Sequence, residues 1–174
     1  MATVHQREID GLRAVAVLAV ILYHGFPGLL PGGFTGVDIF FVISGYLISG
    51  IIWNKLEEGR FSLLDFYDRR VRRIVPALLV VFICTTAIAA WMFFPADLKE
   101  YGRSLLTSSA SVANVGFYRR GGYFDGDVAF MPLLHTWSLA VEEQFYFVLP
   151  FILLALHRWA KNFAIPSTSF RNFK

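Results

Sequence analysis

Apolar residues in this chain gather into four long runs, at about 12–30, 37–53, 74–94 and 139–156. Short polar or turn-forming segments separate them. The runs show neither the strict alternation of half-buried strands nor the single stripe of a soluble helix. Each is near the roughly 20 residues that a helix needs to cross the hydrocarbon core. In lipid a lone segment must satisfy its own backbone hydrogen bonds, so such runs predict helices. The predicted fold is all-α, a polytopic transmembrane helix bundle. Pro27, Pro31, Gly32 and Gly33 predict a turn after the first run. Pro76 reads as the first turn of the third helix and Pro95 as its end. Trp53, Trp91 and Trp159 fall near the ends of runs, where indoles favour the membrane interface. A fifth stretch, 104–118, is rich in Ser, Ala and Thr and short for a span. Four spans follow if it stays on one side, the favoured reading, and five if it crosses.

Composition agrees with a membrane protein. The chain is 56% hydrophobic and only 17% charged, with a mean hydropathy of +0.53. A soluble domain of this size carries a more charged surface. The net charge of +3 does not point to nucleic acid, because the excess is concentrated at one membrane face. Segment 54–75 holds Lys55, Arg60, Arg69, Arg70, Arg72 and Arg73, six of the 16 basic residues, and segment 25–36 holds none. Positive residues remain inside, so the N-terminus and 54–75 are expected in the cytoplasm and 25–36 outside. The first run is not read as a signal peptide. Glu8 and Asp10 stand beside Arg7 and Arg13, and no small-x-small cleavage site follows. Cys84 is the only cysteine, so no intramolecular disulfide forms, and the four histidines lack ligand spacing, so no metal is expected.

Four clusters carry candidate chemistry. Arg13 and His24 are 11 positions apart in the first run, which puts them on one helix face, about 16 Å apart along the axis. Arg13 alone reads as an interface anchor. His24 alone reads equally as a packed helical histidine or as a functional group deep in the membrane. Asp38 opens the second run, and Ser44-Gly45 within it permits close helix approach. Arg69, Arg70, Arg72 and Arg73 precede the third run. Any one of them is explained by the positive-inside rule and anionic lipid. Together, at helical spacing, they suit phosphate oxygens. Glu142 and Glu143 begin the fourth run, where one of two adjacent carboxylates on a regular helix would face lipid.

These clusters, in this order, resemble the acyltransferase-3 family of membrane O-acyltransferases, which acetylate lipopolysaccharide, peptidoglycan or exopolysaccharide. The resemblance rests on Ile9-Asp10-Gly11-Leu12-Arg13-Ala14 with His24, on residues 36–48, on the arginine segment 69–76, and on residues 137–146. It covers about 7–157, the N-terminal part of the family's membrane domain. His135-Thr136 before Trp137 is similar to the subgroup with an added extracytoplasmic SGNH-type domain. The resemblance implies a bacterial inner (plasma) membrane enzyme, multi-pass with a cytoplasmic N-terminus. It implies acyl-CoA, with acetyl-CoA foremost, as the donor on the cytoplasmic side. The implied acceptor is a hydroxyl of a cell-envelope glycan outside. His24 is then the catalytic histidine, with Glu142, Glu143 and Asp38 orienting it or binding the acceptor, and Arg13, Arg69, Arg70, Arg72 and Arg73 form the donor site. No metal and no nucleic acid enter; the other partners are membrane lipids. Family members have roughly ten spans. Four or five are expected here, with 158–174 a polar tail that reads as a by-product of truncation, and no transfer is expected from this chain by itself. The competing reading is a transporter or flippase fragment with His24 and the glutamates as a proton relay.

Overall fold

The computed structural model describes residues 7–26, 28–119 and 131–162. The described residues hold six α-helices and one 3-10 turn, with no strand among them. They divide into two compact units, 1–60 and 61–174.

The first unit is a pair of packed helices. Helix α1 spans Arg7–Gly25 and α2 spans Gly36–Glu57, joined through a 3-10 turn at Gly33–Thr35. Glycine makes the pairing possible. A Cβ on Gly33 would lie 2.4 Å from the carbonyl oxygen of Ala19, and one on Gly36 would lie 2.4 Å from that of Ala16. Both glycines are buried, as is Ala16. Small residues on both sides let the backbones meet at a distance no side chain permits. Gly33 therefore has a packing role beside the turn expected of it. Pro27, also assigned to that turn, lies outside the described residues, as does His5.

The second unit holds α3 (Leu63–Met92), α4 (Pro95–Ser109), α5 (Ala113–Tyr118) and α6 (Thr136–Asn162). Helix α3 starts 11 residues before the apolar run, 63 against 74. The cause is local. Ser62 caps the helix by accepting from the amide of Asp65 at 3.3 Å, and Asp68 pairs with Arg72 one turn later at 2.8 Å. The arginine segment is thus helix rather than loop, and Pro76 lies inside α3, not in its first turn. Pro95 opens α4 rather than simply closing the helix before it.

Among the described residues, three helices are long and apolar enough to cross a membrane: α2 with its preceding turn, α3 and α6. Helix α1 is not among them, because four of its first seven residues are charged. Segment 104–118 is not one helix but the end of α4 and all of α5, 15 and 6 residues long. Between them Ser111 takes a φ of 53°, a left-handed conformation that ends a helix.

Polar contacts hold this interrupted segment in place. The Tyr101 hydroxyl lies 2.9 Å from Thr85 Oγ1 and 2.8 Å from Thr86 Oγ1. Ser108 Oγ meets Thr136 Oγ1 at 2.7 Å. Gln144 on α6 donates to the Ser111 carbonyl at 2.8 Å and to Asn114 Oδ1 at 2.9 Å. Two apolar clusters complete the packing, one of Ala113, Phe117 and Ala140 and one of Ala89, Tyr101 and Leu133. Helix α6 continues past 157 to Asn162; residues 163–174 of the tail lie outside the described residues, as does Arg120.

Candidate functional site

In the first unit, α1 carries Arg13 and His24 and the first turn of α2 carries Asp38. His24 stands in the last turn of α1, with Nδ1 2.9 Å from the Val20 carbonyl. A carbonyl only accepts, so Nδ1 is the donor in this contact. The Tyr23 ring meets the imidazole edge to face at 5.0 Å. Tyr23 itself lies against Gly33, so the close helix approach and the histidine share one wall. His24 and Asp38 are exposed.

Arg13 is half-buried. Its guanidinium lies over the Phe40 ring, 5.3 Å from the centroid, and 3.7 Å from the Asp10 carboxylate. Its Nε is buried with no hydrogen-bond acceptor among the described residues. Around it lies an open hollow of about 500 Å³, apolar except for Asp10 and Arg13.

In the second unit the four clustered arginines divide. Arg69, Arg72 and Arg73 are exposed, whereas Arg70 is half-buried and turned toward α6. Arg72 is already bound to Asp68, and Arg69 Nε donates to the carbonyl of Asp65 at 3.2 Å. Arg70 stacks on Tyr146, 3.4 Å from the ring centroid. Such stacking suits guanidinium better than ammonium. Below it, the Tyr67 hydroxyl donates to the Phe147 carbonyl at 2.9 Å.

Both glutamates are half-buried. Glu142 accepts from the hydroxyl of Tyr146, one turn further along α6. Glu143 shares a cavity of about 110 Å³ with Arg70, and the Arg70 charge acts on it. Ser108, Ser109, Ser111 and Thr136 supply the rest of the polar wall. Glu143 Oε1 is buried without a hydrogen-bond partner among the described residues. The backbone break at Ser111 lines this cavity as well. One residue before α6, desolvation lowers the pKa of His135, against a hydrogen bond to the Pro132 backbone that raises it.

Arg13, His24 and Asp38 thus belong to one unit, and Arg69, Arg70, Arg72, Arg73, Glu142 and Glu143 to the other. Sequence reasoning missed Tyr146, which links Arg70 to Glu142, and Gln144, which ties α6 to the break. The spacing Glu142-x-x-x-Tyr146 was a usable signal, since residues four apart on a helix meet. Among the described residues no group of His, Cys, Asp or Glu is arranged to hold a metal ion.

The model of the acyltransferase domain family (Acyl_transf_3) matches residues 6–166. The chain belongs to this family. It is 44% identical over 157 residues to the peptidoglycan O-acetyltransferase OatA of Listeria monocytogenes, an alignment covering 89% of the chain and 25% of that protein. It is 39% identical over 153 residues to the O-acetyltransferase OatA of Staphylococcus aureus, covering 87% and 25%. A putative O-acetyltransferase of Staphylococcus aureus strain COL is 38% identical over 149 residues, covering 85% and 24%. The chain therefore spans about a quarter of the length of these relatives. No solved structure matches it. Family and apolar helices together make this acyltransferase-domain chain a membrane protein.

Proposed function

We propose that this chain belongs to an O-acyltransferase of the bacterial inner membrane that moves an acetyl group from cytoplasmic acetyl-CoA to a hydroxyl of an extracytoplasmic cell-wall glycan. Peptidoglycan is the acceptor class, by likeness to the Listeria relative named for it. The observation that carries the reading is the exposed guanidinium face at the start of α3. Arg69 and Arg73 stand there beside the Asp68–Arg72 pair, and forked N–H donors match the phosphate oxygens of CoA. Arg13, with a buried Nε lacking an acceptor among the described residues, is a further donor for the same ligand class. His24, protonated on Nδ1, offers Nε2 as the base that takes the acceptor's hydroxyl proton.

Direct measurement separates binding from transfer. With the chain in lipid nanodiscs, Arg73→Ala weakens CoA binding about tenfold or more, since a charge-assisted hydrogen bond is worth about 1.5–3 kcal/mol. In an acyltransferase carrying these residues with the remaining spans of the family fold, His24→Ala leaves CoA binding near normal. It lowers acetyl transfer to peptidoglycan by about 10²–10⁴-fold. Unchanged CoA affinity in a correctly inserted Arg73→Ala chain leaves lipid anchoring as the role of the cluster. A loss of transfer below about tenfold removes His24 from the chemistry.

A further inference from the structure

The cavity between α3, the α4–α5 break and α6 is lined by Arg70, set apart from the exposed face of Arg69 and Arg73. We propose that it receives the acyl group of the donor and that Leu78 and Ala140 limit that group to two or three carbons. The inference rests on the acyl-CoA reading above and deepens it.

Size is the first argument. The cavity of about 110 Å³ holds three to four waters at about 30 Å³ each. An acetyl thioester head, with two carbons, one oxygen and one sulfur, has the same number of heavy atoms. Polarity is the second. Ile74, Leu78, Leu139 and Ala140 form an apolar wall, and Arg70 and Glu143 form a polar one. An acyl group divides in the same way, with a methyl end and a carbonyl oxygen that accepts from Arg70. Charge is the third. The lining already carries one cationic and one acidic side chain, Arg70 and Glu143, so an uncharged occupant brings no further charge that needs a partner, whereas a free carboxylate would. Three of the four hydroxyls are already engaged: Ser108 and Thr136 bond to each other, and Ser109 donates to the Leu105 carbonyl at 2.7 Å.

The two limiting residues differ in kind. Ala140 is 2% exposed and belongs to an apolar cluster, so a larger side chain there must enter the cavity or displace the packing. Leu78 is half-buried on α3, and its replacement by Ala removes three carbons from the wall.

The test is calorimetric titration of the nanodisc-bound chain with CoA, acetyl-CoA, butyryl-CoA and hexanoyl-CoA. Wild type is expected to prefer acetyl-CoA over hexanoyl-CoA by about tenfold or more, since hexanoyl is four methylenes longer and a single surplus methylene in an apolar pocket already costs about tenfold. Leu78→Ala is expected to reverse the order in favour of butyryl-CoA. Ala140→Leu is expected to bring acetyl-CoA down to the affinity of free CoA. Circular dichroism checks helix content, and if Ala140→Leu fails to insert, Leu78→Ala decides alone. An unchanged order of acyl lengths in Leu78→Ala, with CoA still bound, overturns the pocket and leaves the donor reading standing; a cavity filled by water alone gives this result. No CoA binding by wild type overturns the donor reading and the pocket with it.

Discussion

At the scale of single residues, the structure separates side chains that the sequence presents as equals. Four arginines in five positions look alike, and only the partner helix distinguishes them. Arg70 meets Tyr146 and Glu143 on α6, whereas Arg73 is exposed. That division depends on a contact 76 positions away, Arg70 to Tyr146, which periodicity within one helix does not reveal. The glycines are a second case. Gly36 is legible as a small residue, but its need to be glycine comes from the Ala16 carbonyl 2.4 Å from a would-be Cβ. Gly36→Ala is therefore expected to destabilise the first unit by about 1–3 kcal/mol, the usual cost of overpacking. At Gly50 nothing lies within 4 Å of a Cβ, and Gly50→Ala is expected to be neutral or stabilising by up to about 1 kcal/mol through helix propensity. Thermal unfolding in detergent compares the two, and equal effects would refute the close approach.

Elements show where hydropathy serves and where it stops. The cores of the apolar runs coincide with α2, α3 and α6, because the bilayer sets the length and the side chains set the polarity. Helix ends are governed by other forces. The start of α3 is fixed by a serine cap and an ion pair, both in polar sequence that a hydropathy profile passes over. The division of 104–118 is fixed by Ser111, whose φ of 53° is one that serine rarely takes, and by the Gln144 amide that holds its carbonyl. Nothing in the local sequence announces that turn, since its stabilising partner lies on α6. Ser111→Gly is expected to stabilise the second unit by about 1–2 kcal/mol by removing the left-handed penalty. Gln144→Ala is expected to destabilise it by about 1–3 kcal/mol by leaving a partly buried carbonyl unmet. Chemical denaturation of the nanodisc-bound chain reads both. Destabilisation by Ser111→Gly would show that the serine side chain, and not the backbone, sets the turn.

The molecule as a whole is described by family, by membrane-crossing helices and by charge asymmetry. The first was legible because motifs spread over 7–157 keep their order, and the family match covers 6–166. The asymmetry yields an orientation that is tested directly. After Cys84→Ala, single cysteines at Leu30 and Arg60 are labelled from outside with an impermeant thiol reagent in intact cells. Leu30→Cys is expected to react and Arg60→Cys to react only after lysis; the reverse would overturn the orientation. Cys84 is exposed, which is why it must be removed first.

Pro150 lies within α6 and is almost wholly enclosed. Proline brings no amide hydrogen, so the carbonyl of Tyr146 loses its helical donor. The same stretch of α6 gives its next carbonyl, that of Phe147, to Tyr67 on a different helix. One intrahelical hydrogen bond is therefore missing in the turn that follows Glu142 and Glu143, and the Tyr67 contact ties that turn to α3. A proline inside a helix favours a bend at its own turn, so a bend in α6 is expected beyond the carboxylates rather than at them.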